Sequence, residues 1–231
     1  MNNKNNKQFV IDLGGSAVCP DGIDVEFLKL FREFIKRKIG EGYKFIIVVG
    51  GGKICRDYQK AAGDVADVAD KEEDWVGIFA TRLNARLLQA IFYDAAHPLL
   101  FDERFKMKEF GNYSVIIGSG WEPGWSTDYV AVQIAADFGI KTVINLGKPD
   151  YIYTADPGKD AGAKPIEKLS WGDYRKMAPV DRTPGMNFPL DPVAAKLAEK
   201  ENIKIIVAGA RDLKNIEAVL ENRKFKGTVL S

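Results

Sequence analysis

The chain has 231 residues, enough for one α/β domain or one domain with a subdomain, and its 46% hydrophobic content supports a sizeable core without disulfides or structural metal. With 33 Lys plus Arg against 32 Asp plus Glu, the balance argues against a nucleic-acid binder, which carries a basic excess or patch. Cys19 and Cys55 fall in different expected elements, as in a reducing compartment, and the single His97 has no Cys or His companion, which argues against a zinc set or a Ser–His–Asp triad.

Residues 1–7 are rich in Asn and Lys, and no apolar run behind them has the length of a secretory signal. No stretch approaches the ~20 apolar residues of a membrane span. The expectation is a cytoplasmic protein with no membrane or nucleic-acid partner, a flexible N-terminus over 1–8 and a single domain over 9–231. In chain order, residues 9–13 form a short apolar strand interrupted by Asp12 and followed by Gly14, Gly15 and Ser16. Residues 24–39 are a helix with Phe27, Leu28, Phe31, Phe34, Ile35 and Ile39 on one face. Residues 45–49 are an all-apolar strand, as in a parallel sheet covered on both faces, and run into Gly50, Gly51 and Gly52. A helix follows through Ile54, Tyr58 and Ala61, with Cys55 expected to be inert. The charge run Lys71, Glu72, Glu73 suits a solvated helix start ahead of a longer helix over 75–92. Short strands are expected at 99–101, 115–117, 141–145 and 151–153, then a helix at 192–200, a strand at 203–208, a helix at 213–222 and an edge strand at 228–230. Residues 148–165 and 179–192 are Pro- and Gly-rich and read as loops or a small flap.

Strands alternating with helices predict an α/β fold with a mostly parallel sheet, whose ligands bind outside the carboxyl ends of the strands. Three glycine clusters follow strands: 14–15, 50–52 and 118–124. In a parallel sheet they share one edge, which suits several phosphate groups. The third runs Gly118, Gly120, Pro123, Gly124 and then Ser126, Thr127 and Asp128, each able to cap a helix whose free amides favour an anion. The 50–56 stretch is neither a dinucleotide fingerprint, because Cys55 stands where the third glycine belongs, nor a P-loop, because Ile54 follows Lys53. An amide cradle flanked by Lys53 and Arg56 remains, and so does a plain turn with a solvated helix face. Tyr153 and Asp156 could serve a base and a ribose, or simply form a capped hairpin.

Taken in order, the segments 12–16, 49–53 with Arg56, 77–85, 123–128, 153–157, 190–196 and 227–228 resemble the amino-acid kinase superfamily. The Thr81-Arg82-Leu83-Asn84-Ala85 run with Asp74 ahead of it is similar to the archaeal type of its UMP kinase family. The resemblance spans residues 9–229. It implies an open αβα sandwich with a mainly parallel sheet of roughly eight strands, divided into a phosphate-acceptor part over 9–140 and an ATP-binding part over 141–231. It implies phosphoryl transfer from ATP to UMP with Mg²⁺ in pyrimidine nucleotide biosynthesis, and a homo-oligomer, a hexamer by family habit. By the same resemblance Gly14, Gly15, Ser16, Gly52 and Arg56 meet the ATP phosphates, and Gly147, Tyr153 and Asp156 the ATP nucleoside. Gly51 meets the UMP phosphate, Asp74 its sugar, and Gly120, Trp121, Pro123, Gly124, Trp125, Ser126 and Thr127 wrap UMP. Two positions depart from the common pattern. Asp12 stands where many members have Lys, although archaeal-type members share the Asp; Lys53 is expected to supply the charge, with Asp12 orienting it or helping to hold Mg²⁺. Gly147 lacks the usual threonine hydroxyl, which leaves donor preference open. Another small-molecule kinase of the superfamily, or a non-catalytic nucleotide or oxyanion binder, are the competing readings.

Overall fold

A computed structural model describes residues 7–178 and 189–231. The elements run β1 (Gln8–Leu13), α1 (Gly15–Val18), α2 (Val25–Gly40), β2 (Lys44–Val49), α3 (Gly52–Val65), α4 (Asp70–Ile91), β3 (Val115–Gly118), α5 (Thr127–Asp137) and β4 (Thr142–Gly147). They continue with β5 (Ile152–Tyr153), β6 (Pro165–Ile166), β7 (Lys168–Leu169), α6 (Trp171–Met177), α7 (Pro192–Lys200), β8 (Lys204–Gly209), α8 (Leu213–Leu220) and β9 (Thr228–Leu230). The main sheet has seven strands in the order β3-β2-β1-β4-β8-β9-β7, parallel except where β9 runs against β8, and β5 and β6 form a separate antiparallel hairpin. No helix among the described residues is long and apolar enough to cross a membrane.

Because side chains alternate across a strand, the sheet feeds two cores. Ile11, Leu13, Phe45, Ile47, Val49, Val115, Ile117, Ile144 and Leu146 pack on one side with residues of α2, α4 and α8. Val10, Ile46, Val48, Ile116, Val143, Ile205 and Val207 pack on the other with residues of α5 and α7. By this alternation Asp12, two residues after Val10, belongs to the α5–α7 side.

Among the described residues the main sheet has seven strands, in keeping with the roughly eight expected. Residues 99–101 do not form a strand: only isolated bridges join Ala96 to Val115 and Phe101 to Gly118. Pro98 lies between them and has no N–H to extend a ladder. The long helix begins at Asp70 rather than 75, its first turn built from the expected acidic run of Glu72 and Glu73. The expected loop over 179–192 falls largely at 179–188, outside the described residues, while Asp191 caps α7.

Lys38 of α2 is fully buried, and its ammonium is closed off by Glu41, Glu217 and Glu221 at 2.8, 2.6 and 2.7 Å. Arg37 and then Lys38 pull the Glu217 carboxyl from 4.5 down to about 2. A depressed carboxyl contributes stability above its unfolded value and loses it as pH falls through the folded one. Lys38→Met is therefore expected to lower Tm by several degrees at pH 7 and to flatten the Tm profile between pH 4.5 and 2, as followed by thermal melts.

Candidate active site

The strands β1, β2 and β3 lie side by side and end level with one another, Leu13 opposite Val49 and Val48 opposite Gly118. This brings the glycine clusters to one edge. The first two then pack backbone against backbone. A Cβ on Gly15 would stand 2.0 Å from the Gly52 nitrogen and 2.6 Å from the Gly50 carbon, and one on Gly52 would stand 2.5 Å from the Gly15 oxygen. Gly52 also has φ of +67°, a conformation that glycine takes without steric cost. Gly14 donates its N–H to Leu146 O at 2.8 Å, which sets Gly147 beside it, and Lys53 N–H reaches Cys19 O at 2.9 Å. The result is a floor of main chain with no side chain between its two halves.

Beside the floor, on the α5–α7 face of β1, lies Asp12, 2% exposed and directly across the β1–β4 ladder from Asn145, whose Nδ2 donates to Asp12 Oδ2 at 3.3 Å. Asp128, in the first turn of α5, and Asp191, the N-cap of α7, complete the group. Asp191 N–H donates to Asp128 Oδ2 at 2.7 Å, so the two helix starts are joined. Burial pushes the Asp12 carboxyl well above its usual range, and the neighbouring charges and hydrogen bond of Asp128, then the charge of Asp191, add to this. Asp12 Oδ1 is buried with no N–H or O–H donor among the described residues. A lone-pair acceptor left this way fits a cation better than it fits its present surroundings. A recessed carboxylate with a second one near it is the donor set that Mg²⁺ takes, its shell being completed by substrate phosphates and water.

One turn of α4 braces two loops at once. Asn84 Nδ2 donates to Gly50 O at 2.8 Å and Gly51 O at 3.1 Å. Thr81 Oγ1 accepts from Gly120 N–H at 2.8 Å, and Arg82 donates to Trp121 O at 3.4 Å and Asp102 O at 3.1 Å. From the start of the same helix Asp74 accepts the Gly124 N–H at 2.7 Å. The sequence pattern contained Thr81, Arg82 and Asn84 but gave none of them a place in the site.

Other expected site residues have structural employment. Trp121 is buried, donates Nε1–H to Phe101 O at 3.0 Å and packs on Phe101 and Trp125. Ser126 caps α5 by accepting from Tyr129 N–H, with Thr127 as the first helical residue and Pro123 half-buried ahead of it. Ser16 lies half-buried in α1. Lys53 is turned to Asp57 at 2.7 Å and Asp21 at 3.8 Å, and no hydrogen bond joins it to Asp12 among the described residues. Arg56 is exposed on α3. Cys55 is half-buried against Gln59, and burial pushes its thiol up, in keeping with an inert group. Tyr153 lies on the β5–β6 hairpin, where Thr228 of β9 accepts from Ile152 N–H at 2.8 Å and donates to Ile166 O. Asp156 turns back on Gly158 N–H at 2.9 Å. Gly147 has room for a larger residue, since a Cβ there would meet only Pro149 at 3.5 Å and Asn145 at 3.9 Å.

Sheet order, adjoining glycine loops and a recessed acidic group together define an open three-layer α/β protein with its candidate site at the strand carboxyl ends. The sequence profile of the amino acid kinase family matches residues 7–209, and the chain belongs to that family. It is 34% identical over 223 residues to a uridylate kinase of Methanocorpusculum labreanum, covering 96% of this chain and 94% of that one. It is 35% identical over 227 residues to one of Methanospirillum hungatei, covering 96% and 94%. A crystal structure of uridylate kinase from Archaeoglobus fulgidus superposes with a TM-score of 0.78 at 30% identity, covering 96% of this chain and 99% of that one. A UMP kinase structure from Bacillus anthracis reaches 0.80 at 20% identity, covering 97% and 96%, a likeness of fold.

Proposed function

We propose that this chain transfers the γ-phosphoryl group of ATP to UMP, giving ADP and UDP, a step of pyrimidine nucleotide biosynthesis. The observation that carries this reading is the amide floor at the joined ends of β1 and β2, with Asp12 recessed beside it. Phosphoryl transfer needs little covalent chemistry from a protein. It needs two phosphates held in line and their spreading charge met by fixed donors. The acceptor oxygen of a nucleoside monophosphate is already ionised, so no general base is required. Gly14, Gly15, Ser16, Gly52 and Arg56 would meet the ATP phosphates and Gly51 the UMP phosphate. Asp74 and the loop over 120–127 would hold the uridine part, although Asp74 must then share its carboxylate with Gly124 N–H. Gly147, Tyr153 and Asp156 would hold the donor nucleoside, so 9–140 acts as the acceptor part and 141–231 as the donor part. Mg²⁺, held by Asp12 with Asp128 close by, would supply charge neutralisation on the phosphates. Lys53 would contribute positive charge from α3 by leaving Asp57. Cytoplasm, where nucleoside triphosphates are abundant and thiols stay reduced, is the compartment this chemistry suits.

A coupled assay with ATP, Mg²⁺ and each nucleoside monophosphate in turn tests the reading. UMP turned over far faster than CMP, carbamates or isoprenoid phosphates supports it. A folded protein that binds ATP or UMP and makes no UDP overturns it.

We also propose a homo-oligomer, hexameric by the family pattern, with α4 at a two-fold contact. Phe79 and Leu83 are 63% and 58% exposed on this helix. Trp75 and Leu83 each lie four residues from Phe79, and acidic Glu72 and basic Arg86 each lie seven. An antiparallel copy centred on Phe79 would thus set Trp75 on Leu83 and Glu72 on Arg86, an isologous arrangement. Phe79→Glu is expected to reduce the assembly mass at least twofold by light scattering.

A further inference from the structure

Resting on the phosphoryl-transfer reading, we propose that Asn84 is a positioning residue that sets the amide floor for phosphate from behind. Asn84 is 2% exposed. Its amide must present nitrogen to the loop, because the opposite orientation would press its oxygen against two carbonyl oxygens. In a trans peptide the C=O of one residue and the N–H of the next point to opposite sides. By drawing the Gly50 and Gly51 carbonyls toward α4, Asn84 turns the N–H groups of Gly51 and Gly52 the other way. Those two residues are in right-handed and left-handed conformations, with φ of −77° and +67°. That alternation makes successive N–H groups converge into an anion-binding concavity. Glycine peptides rotate easily, so the tilt of the Gly50–Gly51 and Gly51–Gly52 peptide planes needs a fixed partner. The Asn84 amide supplies it, and preorganised donors are what a transferring phosphoryl group rewards. Asn84 touches no reacting atom in this arrangement; it acts through the peptide planes.

The test follows the Gly51 and Gly52 amide resonances of ¹⁵N-labelled protein during titration with inorganic phosphate and with UMP, alongside steady-state kinetics. In the wild type both amides shift on each titration. In Asn84→Ala the affinity for phosphate falls at least tenfold and kcat at least thirtyfold, while uridine, which has no phosphate, binds within twofold of wild type. Asn84→Ser, which keeps one donor and disturbs packing less, falls between the two and decides the matter if the alanine variant does not fold. Amides that ignore phosphate in the wild type, or a folded variant with phosphate affinity and kcat within twofold, overturn the role. Wild-type amides that respond while no UDP forms would instead sink the kinase reading and leave the positioning role standing.

Discussion

Gly15→Ala is expected to abolish turnover, with kcat down at least a hundredfold, and to destabilise the chain by about 3 kcal/mol, the upper range for overpacking a filled site. The added methyl would stand 2.0 Å from the Gly52 nitrogen, 2.6 Å from the Gly50 carbon and 2.7 Å from the Gly50 oxygen. All three are backbone atoms tied into β2 and α3, so no side chain can swing aside. The two loops must separate, and the phosphates lose the in-line spacing that transfer requires. Gly40→Ala is the control: it ends α2, and a Cβ there meets nothing within 4 Å. That variant should keep full activity and melt at or slightly above wild type, since alanine restricts the unfolded chain more than glycine does. Equal losses at both positions, in melts and in the UMP assay, would show that the close approach at Gly15 carries no special weight.

Asp12→Asn is expected to be more stable than the wild type and nearly inactive, with kcat reduced at least a hundredfold. Burial first, then Asp128 and Asp191, raise the Asp12 carboxyl well above its ordinary value. A group whose folded carboxyl is raised binds more protons folded than unfolded. The folded state is therefore favoured at low pH, and that advantage is lost as pH rises from the unfolded value of about 4 through the raised folded one. Asparagine has no charge to bury, can accept the Asn145 hydrogen bond and can donate to Asp128. The stability gap between variant and wild type should thus be small near pH 4 and widen toward neutrality, each kcal/mol appearing as about 2–4 °C in Tm for a chain of this length. Mg²⁺ with ATP should raise the wild-type Tm more than that of the variant, because only the wild type keeps the carboxylate. Melts at pH 4 to 8 with and without Mg²⁺ and ATP check both halves; a variant that is less stable at pH 7 rules the account out.

Much of the frame was legible in the chain. Apolar runs such as 45–49 and 115–117 gave buried strands, the Phe27, Phe31 and Phe34 stripe gave α2, and the three glycine clusters fell at one edge of the parallel strands, as expected. The short β7 and α6 escaped notice because two strand residues and two helical turns carry too little periodicity to stand out. The company of Asp12 was not legible either. Its burial follows from which face of β1 it occupies, and its like-charged neighbours arrive from helix starts 116 and 179 residues further along the chain, by subtraction from Asp128 and Asp191. Asn84 was visible as a letter in a helical motif, but its use depends on the turn of α4 that faces the loop, a matter of packing that spacing alone does not fix.

A surface assembled from peptide N–H groups contains nothing that gains or loses a proton between pH 4 and 10. The floor's own donors should consequently be unchanged over that span, and Asn84, the buried side chain that sets them, carries no titrating group either. Whatever acidity profile the reaction shows must come from the carboxylate beside the floor, from the flanking charged side chains and from the phosphates themselves.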